Sequence, residues 1–127
     1  MDVPGPVAAW HAIAEARDPS GLDDLLADEV VFRSPAVHGD QAGKQLTTAY
    51  LSAAIVVLGP TLAYRRQWYA ESNAVLEFEA ELDGLAVHGI DLLEWNDEGR
   101  LTEFTVMVRP IRGLEKLIEK MAAQLFG

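Results

Sequence analysis

The sequence contains no cysteine among its 127 residues. The chain therefore has no disulfide bonds, no thiolate metal ligands and no cysteine nucleophile. Basic residues are scarce as well, since 10 lysines and arginines stand against 20 aspartates and glutamates and give a formal net charge of -10. A surface of that sign repels a phosphate backbone, so we expect no nucleic acid partner.

The sequence also lacks a long apolar run and a targeting segment. Its longest apolar run, around "AAIVVL", is far too short to span a bilayer, and no run of lysine and arginine favours a membrane surface. The start, "MDVPGP", has neither the positive region nor the apolar region of a secretory signal. These absences predict a cytoplasmic protein without a membrane partner.

Signatures of cofactor and metal sites are missing too. The chain has no Gly-rich phosphate loop, no dinucleotide fingerprint and no Ser-His-Asp arrangement. Its three histidines, His11, His38 and His88, are scattered without the spacing of metal ligands. We therefore expect neither a cofactor nor a bound metal.

Half of the residues are hydrophobic, which indicates one globular domain over residues 1–127. Helical spacing predicts three helices in the first half, in "PGPVAAWHAIAEARDPSG", "SGLDDLLADE" and "DQAGKQLTTAYLSAAIVVLGP", the last capped by Asp40. A short strand, "VVFRS", lies between the second helix and the third.

After residue 60 the hydrophobic period changes to two. Four strands are predicted at residues 61–70, 73–82, 85–95 and 100–108, with a type I′ hairpin at Asp83-Gly84. A final amphipathic helix covers residues 112–126. Helices followed by a strand meander predict an α+β fold, with helices packed in the concave face of a curved, mostly antiparallel sheet.

The alternation in residues 85–95 places Asp91 on one face of its strand together with Val87, Leu93 and Trp95. The last two predicted strands carry apolar residues on both faces, so the sheet needs a cover on each side. Helices provide one cover, and we expect the other to be a second copy of the chain in a homodimer packed through the outer sheet face.

The alternation in residues 64–69 is less informative. It places Tyr64, Arg66 and Trp68 on one face of the strand. The other face carries Arg65, Gln67 and Tyr69. The pattern does not decide which of the two faces points inward. An inward Arg66 would pair with Asp91. The alternative, which the pattern favours, is that one arginine pairs across strands with Glu77 or Glu79.

Three segments in this order resemble the NTF2-like superfamily, in its SnoaL-like and ketosteroid-isomerase-like branch. They are "WHAIAEARDPSGLDDLLADEVVFRSP", "GKQLTTAYL" and "GIDLLEWNDEGRLTEF". The resemblance implies a cone-shaped α+β barrel that encloses an apolar pocket between the sheet and the helices. It also implies a dimer formed through the outer surface of the sheet.

The resemblance implies particular site residues. The protonated aspartate of the isomerases falls on Asp91, the position of their base aspartate on Ser34, and that of their helix tyrosine on Trp10. Tyr50 matches a pocket aromatic. Because a serine does not replace a carboxylate base without an activating partner, steroid-type isomerisation is not favoured.

Asp91 and His38 are the candidate catalytic residues. A neutral Asp91 would donate a hydrogen bond to a carbonyl or oxyanion and an ionised one would act as a base; the alternative is a structural acid bonded to a pocket tyrosine or tryptophan. His38, in the loop "SPAVHGD", is either an acid–base partner near the pocket mouth or a solvated loop histidine.

Three functions follow from these residues. The first is an enclosed pocket for a small apolar or aromatic molecule, with Asp91 as its central polar group. The second is a metal-free acid–base enzyme of the isomerase, cyclase or lyase type that uses Asp91, and the third is a protein-interaction module with an incidental cavity. The expected ligand-binding residues are Trp10, Ser34, Tyr50, Phe78, Leu93, Trp95, Phe104 and Val106.

Overall fold

Helices pack against one curved sheet in the computed structural model, which describes residues 2–127. The helices in this range are α1 (Gly5–Ala16), α2 (Leu22–Leu25), α3 (Lys44–Leu58) and α4 (Ile111–Phe126), with a 3-10 turn at Pro19–Gly21. The strands are β1 (Leu26–Arg33), β2 (Gln41–Ala42), β3 (Ala63–Tyr69), β4 (Asn73–Leu82), β5 (Leu85–Trp95) and β6 (Leu101–Arg109). No helix among these residues is long and apolar enough to cross a bilayer.

The strand order across the sheet is β2-β1-β6-β5-β4-β3. The pairing is antiparallel everywhere except between β1 and β6, which run parallel. The predicted α+β class, with helices in the concave face of a mostly antiparallel sheet, is confirmed. The hairpin at Asp83-Gly84 is confirmed as well, because both residues have the positive φ, 50° and 80°, that a type I′ turn needs.

The predicted second helix is too long. The helix α2 ends at Leu25, and the next residues, expected to be helical, open strand β1 instead. Leu26 pairs with Leu101 of β6 and is fully buried. Tertiary pairing and burial here override the helical pattern of the local sequence.

The third helix begins later than predicted. Asp40 does not cap it: the helix starts at Lys44 behind Gly43, whose φ of 101° favours glycine, and Asp40 accepts a hydrogen bond from Arg33 at 2.9 Å instead. The two residues of β2 pair with β1 and occupy the segment that the pattern had given to the helix. A short strand at this edge competes with the helical turn for the same backbone groups.

A bulge in β3 overturns the simple alternation of residues 64–69. Tyr64 lies opposite Phe78 and Gln67 opposite Leu76, so three steps along β3 match two along β4. The extra residue lets Arg65 and Arg66 both lie exposed on the outer face, while Tyr64 and Gln67 point inward. The bulge therefore decides which aromatic side chain of β3 reaches the interior.

The outer face of the sheet carries cross-strand ion pairs. Arg66 donates through Nε and Nη2 to the two carboxylate oxygens of Glu77, each at 2.8 Å, and Arg65 pairs with Glu79 at 3.1 Å. The favoured alternative for these arginines is thus confirmed, and Arg66 does not reach Asp91. Arg66 and then His88 hold the pKa of Glu77 below its ordinary value. Because the Arg66 side chain is 72% exposed, solvent screens its charge and the pair behaves as a surface ion pair.

The interior has two packed regions. The larger one joins α1, α2, α3 and the sheet around fully buried side chains, among them Val7, Leu22, Leu76, Leu93 and Phe104. The smaller one packs Leu117 of α4 against Phe78 and Val87. Gly89 makes room for Phe78, since a Cβ there would lie 2.6 Å from the ring. Between the two regions the helices and the sheet leave a cavity.

Candidate functional site

The cavity has a volume of about 200 Å³ and lies between the concave face of the sheet, α1, α3 and α4. Its wall is almost wholly apolar or aromatic. The structure brings most of the predicted site residues together on this wall: Trp10, Ser34, Tyr50, Phe78, Asp91, Phe104 and Val106. The cavity volume is below the range of about 300–1,000 Å³ typical of drug-sized ligands, which favours a small occupant.

Leu93 and Trp95 do not line the cavity. Both point inward from β5 as predicted, but they lie beyond Asp91 in the larger packed region, where Leu93 is fully buried. The helix α4 packs at the other end of β5, where Gly113 meets the backbone of Ala86. The wall on β5 therefore ends at Asp91, and the two residues beyond it support the core.

His38 lies outside the cavity too. It is exposed in the loop after β1, while its neighbours Pro35, Ala36 and Val37 contribute to the wall. Ser34 does line the cavity, and its hydroxyl oxygen accepts a hydrogen bond from the backbone N–H of Ala36 at 3.0 Å. This contact is a local turn and supplies no partner that would activate the serine.

The far side of the cavity is closed by α4. Its apolar face contributes Leu117, Ile118, Met121, Leu125 and Phe126 to the wall. Phe126 is 83% exposed at the end of this helix. The helix α4 and the loop after β1 thus both contribute to the wall of the cavity.

A chain of two hydrogen bonds crosses the polar end of the cavity. The indole N–H of Trp10 donates to the Tyr64 hydroxyl at 2.7 Å, and that hydroxyl donates to Oδ2 of Asp91 at 2.6 Å. Asp91 is only 5% exposed in the middle of β5, between Leu76 of β4 and Val106 of β6. The order of donors fixes Oδ2 as an acceptor, since the indole N–H has no acceptor function.

Burial changes the acidity of both partners. Desolvation raises the pKa of Asp91 to about 7, although the hydrogen bond from Tyr64 acts in the opposite direction. Burial and then the neighbouring Asp91 charge raise the pKa of Tyr64 well above its ordinary value. Near neutral pH, Asp91 is therefore divided between a neutral and an ionised form, while Tyr64 keeps its proton.

Asp91 lines the cavity, and its second carboxylate oxygen is not bonded to Tyr64. Within residues 2–127, Oδ1 has no hydrogen-bond partner, and Asp91 is the only charged side chain among those that line the wall. A neutral Asp91 can donate from this oxygen and an ionised one can accept at it. No group of three or more His, Cys, Asp or Glu side chains in the described part of the chain could hold a metal ion.

The sequence pattern does not predict Tyr64 as a site residue. Its ring is held by His11 in an edge contact with centroids 4.7 Å apart, and His11 Nε2 lies 2.7 Å from Gln67 Oε1. Because that amide oxygen accepts, Nε2 of His11 carries a proton. Because the bulge interrupts the alternation of β3, strand periodicity alone does not indicate that Tyr64 points inward.

Comparison with known proteins identifies relatives of the chain. Residues 7–104 match the model of the SnoaL-like domain family. A steroid delta-isomerase from Pseudomonas aeruginosa is 38% identical, with 94% of this chain and 88% of that chain covered and a TM-score of 0.90. An uncharacterised bacterial protein with a cystatin-like fold from Silicibacter pomeroyi is 26% identical, with 96% and 86% covered and a TM-score of 0.89.

A more distant structure shares the fold alone. It is a hypothetical protein with a ketosteroid isomerase-like fold from Catenulispora acidiphila, in complex with trimethylamine, at 18% identity and a TM-score of 0.63 over 83% of this chain and 85% of that one. A search of curated proteins found no match to this chain.

Asp91→Asn tests the burial of this carboxyl through stability. The folded-state pKa of about 7 lies above the ordinary 3.8, so ionisation opposes folding as the pH rises through this interval. We expect the variant to gain up to about 4 kcal/mol in free energy of unfolding over the native chain between about pH 4 and about pH 8. Urea denaturation at each pH measures the difference.

The exposed Asp24 gives a matched control, because its carboxylate is already in water. The difference between Asp24→Asn and the native chain should stay well below that expected for Asp91→Asn, because Asp24 gives up no buried position. A flat difference for Asp91→Asn would contradict the raised pKa of Asp91.

Proposed function

This chain belongs to the SnoaL-like domain family, in the ketosteroid-isomerase-like branch of the NTF2-like superfamily, and we propose that its cavity binds a small, mainly apolar molecule. The polar end of that molecule contacts Oδ1 of Asp91. The observation that carries the proposal is an open, aromatic-lined cavity with one charged group on its wall, itself oriented by Tyr64.

Apolar surface supplies most of the affinity in such a site. The rings of Trp10 and Phe104 pack edge to face with centroids 4.9 Å apart, and Phe32 stacks on Tyr50 at 5.3 Å. These contacts keep the aromatic wall rigid, so a ligand loses little free energy to rearrangement of the protein. A cavity filled by side chains would have favoured the protein-interaction module; the open cavity supports ligand binding.

An acid–base isomerase is the second candidate. It is supported by the pKa of Asp91 near 7, which suits proton transfer at neutral pH, and by the 38% identity to a steroid delta-isomerase. Asp91 would carry the proton, taking it from one carbon of the ligand in its ionised form and returning it to another. Against a two-carboxylate mechanism, the base position holds Ser34, and no second carboxylate of the described chain lines the cavity.

The protein is proposed to be a cytoplasmic homodimer that pairs through the outer sheet face. Two apolar side chains on that face are about half exposed, Trp68 at 50% and Met107 at 53%. Half-buried Ile90 and Leu92 lie on the same face of β5. A second copy packed there would remove this apolar area from water.

Ala54→Phe tests the binding function. Ala54 lines the cavity from α3, so a phenyl ring would fill the space that a ligand needs. We expect the native protein to bind 2-naphthol saturably, and the variant to lose at least about tenfold in affinity, in a fluorescence titration. Ala49 is exposed on the same helix, and Ala49→Phe should bind like the native chain.

Absence of saturable binding to the native protein would contradict the ligand-binding proposal. So would equal affinity in Ala54→Phe, provided that its circular dichroism spectrum matches that of the native chain.

The isomerase candidate predicts conversion of a β,γ-unsaturated ketone, such as 3-cyclohexenone, to its conjugated isomer. If Asp91 is the acid, Asp91→Asn should lower kcat/KM by about 100-fold or more, because the amide cannot transfer the proton. Ultraviolet absorbance of the conjugated product measures the rate. Conversion by the native enzyme that survives unchanged in Asp91→Asn excludes Asp91 as the acid, and no conversion at all removes the isomerase candidate for this ketone.

Met107→Glu tests the dimer. A charge buried between two sheet faces is costly, so the variant should be monomeric at concentrations where the native chain is dimeric, as measured by light scattering. Val56 is 56% exposed on α3 and away from the sheet, and Val56→Glu should remain dimeric. A monomeric native chain, or a dimeric Met107→Glu variant, would contradict the proposed dimer.

A further inference from the structure

We propose that the polar end of the ligand is a protonated amine, so that the ligand class is a small aryl- or alkylammonium ion. The inference rests on the proposed function of the cavity and names the chemistry of its occupant. It is carried by the direction of the hydrogen bonds around Asp91, by the charges on the wall and by the aromatic rings beside it.

The hydrogen bonds of the wall consume the donors of the two residues nearest Asp91. Trp10 has one N–H and gives it to Tyr64; Tyr64 has one O–H and gives it to Asp91. The chain of donors ends at a carboxylate whose Oδ1 is left for the ligand. A ligand group that donates completes this network, whereas one that only accepts requires Asp91 to take up a proton first.

The charges on the wall point the same way. No lysine or arginine among residues 2–127 lines the cavity. The two lysines of α4 pair elsewhere: Lys120 Nζ lies 3.1 Å from Asp83 Oδ1, and Lys116 pairs with Glu119 and with Asp83. Arg112, at the start of the helix, is exposed and does not line the cavity. An ionised Asp91 therefore lacks a counter-charge from the described residues, and an ammonium group in the cavity would supply it.

Aromatic rings line the same cavity as Asp91. Trp10, Tyr50, Phe78 and Phe104 all line the cavity. The face of an aromatic ring attracts a cation, and the attraction is stronger where water is excluded. An alkylated ammonium ion combines an apolar surface for this wall with one N–H for Oδ1.

Asp91 is the group that sets the pH dependence. From β3 it faces Tyr64, and Tyr50 of α3 lines the same cavity; His11 of α1 is turned to Gln67 and the edge of Tyr64. Glu77 and His88 bond each other on the opposite face of the sheet. An ammonium ion prefers the ionised form of Asp91, so its binding should weaken as the pH falls below about 7.

Three probes of nearly equal shape test the inference by nuclear magnetic resonance titration: N,N-dimethylbenzylamine, the apolar isostere isobutylbenzene and the ketone phenylacetone. At about pH 8 the amine, still protonated, should bind at least about tenfold more tightly than either neutral probe. Its affinity should fall on acidification to about pH 5.5, by a factor approaching ten per pH unit below the pKa of Asp91.

Asp91→Asn should remove the preference of the cavity for the amine over isobutylbenzene. Tighter binding of phenylacetone, or an affinity for the amine that does not change with pH, overturns the inference while the binding function stands. Failure of all three probes to bind overturns both. The comparison of probes on the native chain needs no variant, so it holds even if Asp91→Asn does not fold.

Discussion

Asp91 is buried in the centre of the sheet with one hydrogen-bond donor, Tyr64, and the chemistry of the cavity depends on that contact. A carboxylate removed from water is destabilised unless it is protonated or compensated. Here one hydrogen bond compensates part of the loss, and the pKa stays raised to about 7. The Asp91 carboxyl therefore donates or accepts a hydrogen bond, depending on small changes in pH or on the ligand in the cavity.

The rest of the fold keeps this pair in place. The bulge in β3 turns Tyr64 inward, α1 brings the indole of Trp10 within 2.7 Å of its hydroxyl, and Gly89 leaves room for Phe78 beside it. The helix α4 covers the open side with apolar residues. These elements bury the carboxyl, and that burial raises its pKa into the neutral range.

Much of this arrangement is encoded in local patterns. The alternation around Asp91 predicted its inward face, and Asp83-Gly84 predicted the hairpin beside it, because strand period and turn chemistry are local properties. The position of Tyr64 was not predictable in this way, since one extra residue in β3 reverses the alternation. The local pattern predicts a helix at Leu26. Its strand pairing with Leu101 joins residues far apart in the sequence, so no local pattern indicates that pairing. The extent of the cavity, which excludes Leu93, Trp95 and His38, depends on where α4 packs.

The central claim is that Asp91 titrates near neutrality inside an apolar cavity. A nuclear magnetic resonance titration of its side-chain carboxyl carbon, assigned by comparison with Asp91→Asn, measures this directly. We predict a midpoint at about 7, which moves lower when an ammonium probe occupies the cavity. A midpoint near the ordinary 3.8 in the unliganded protein would contradict it.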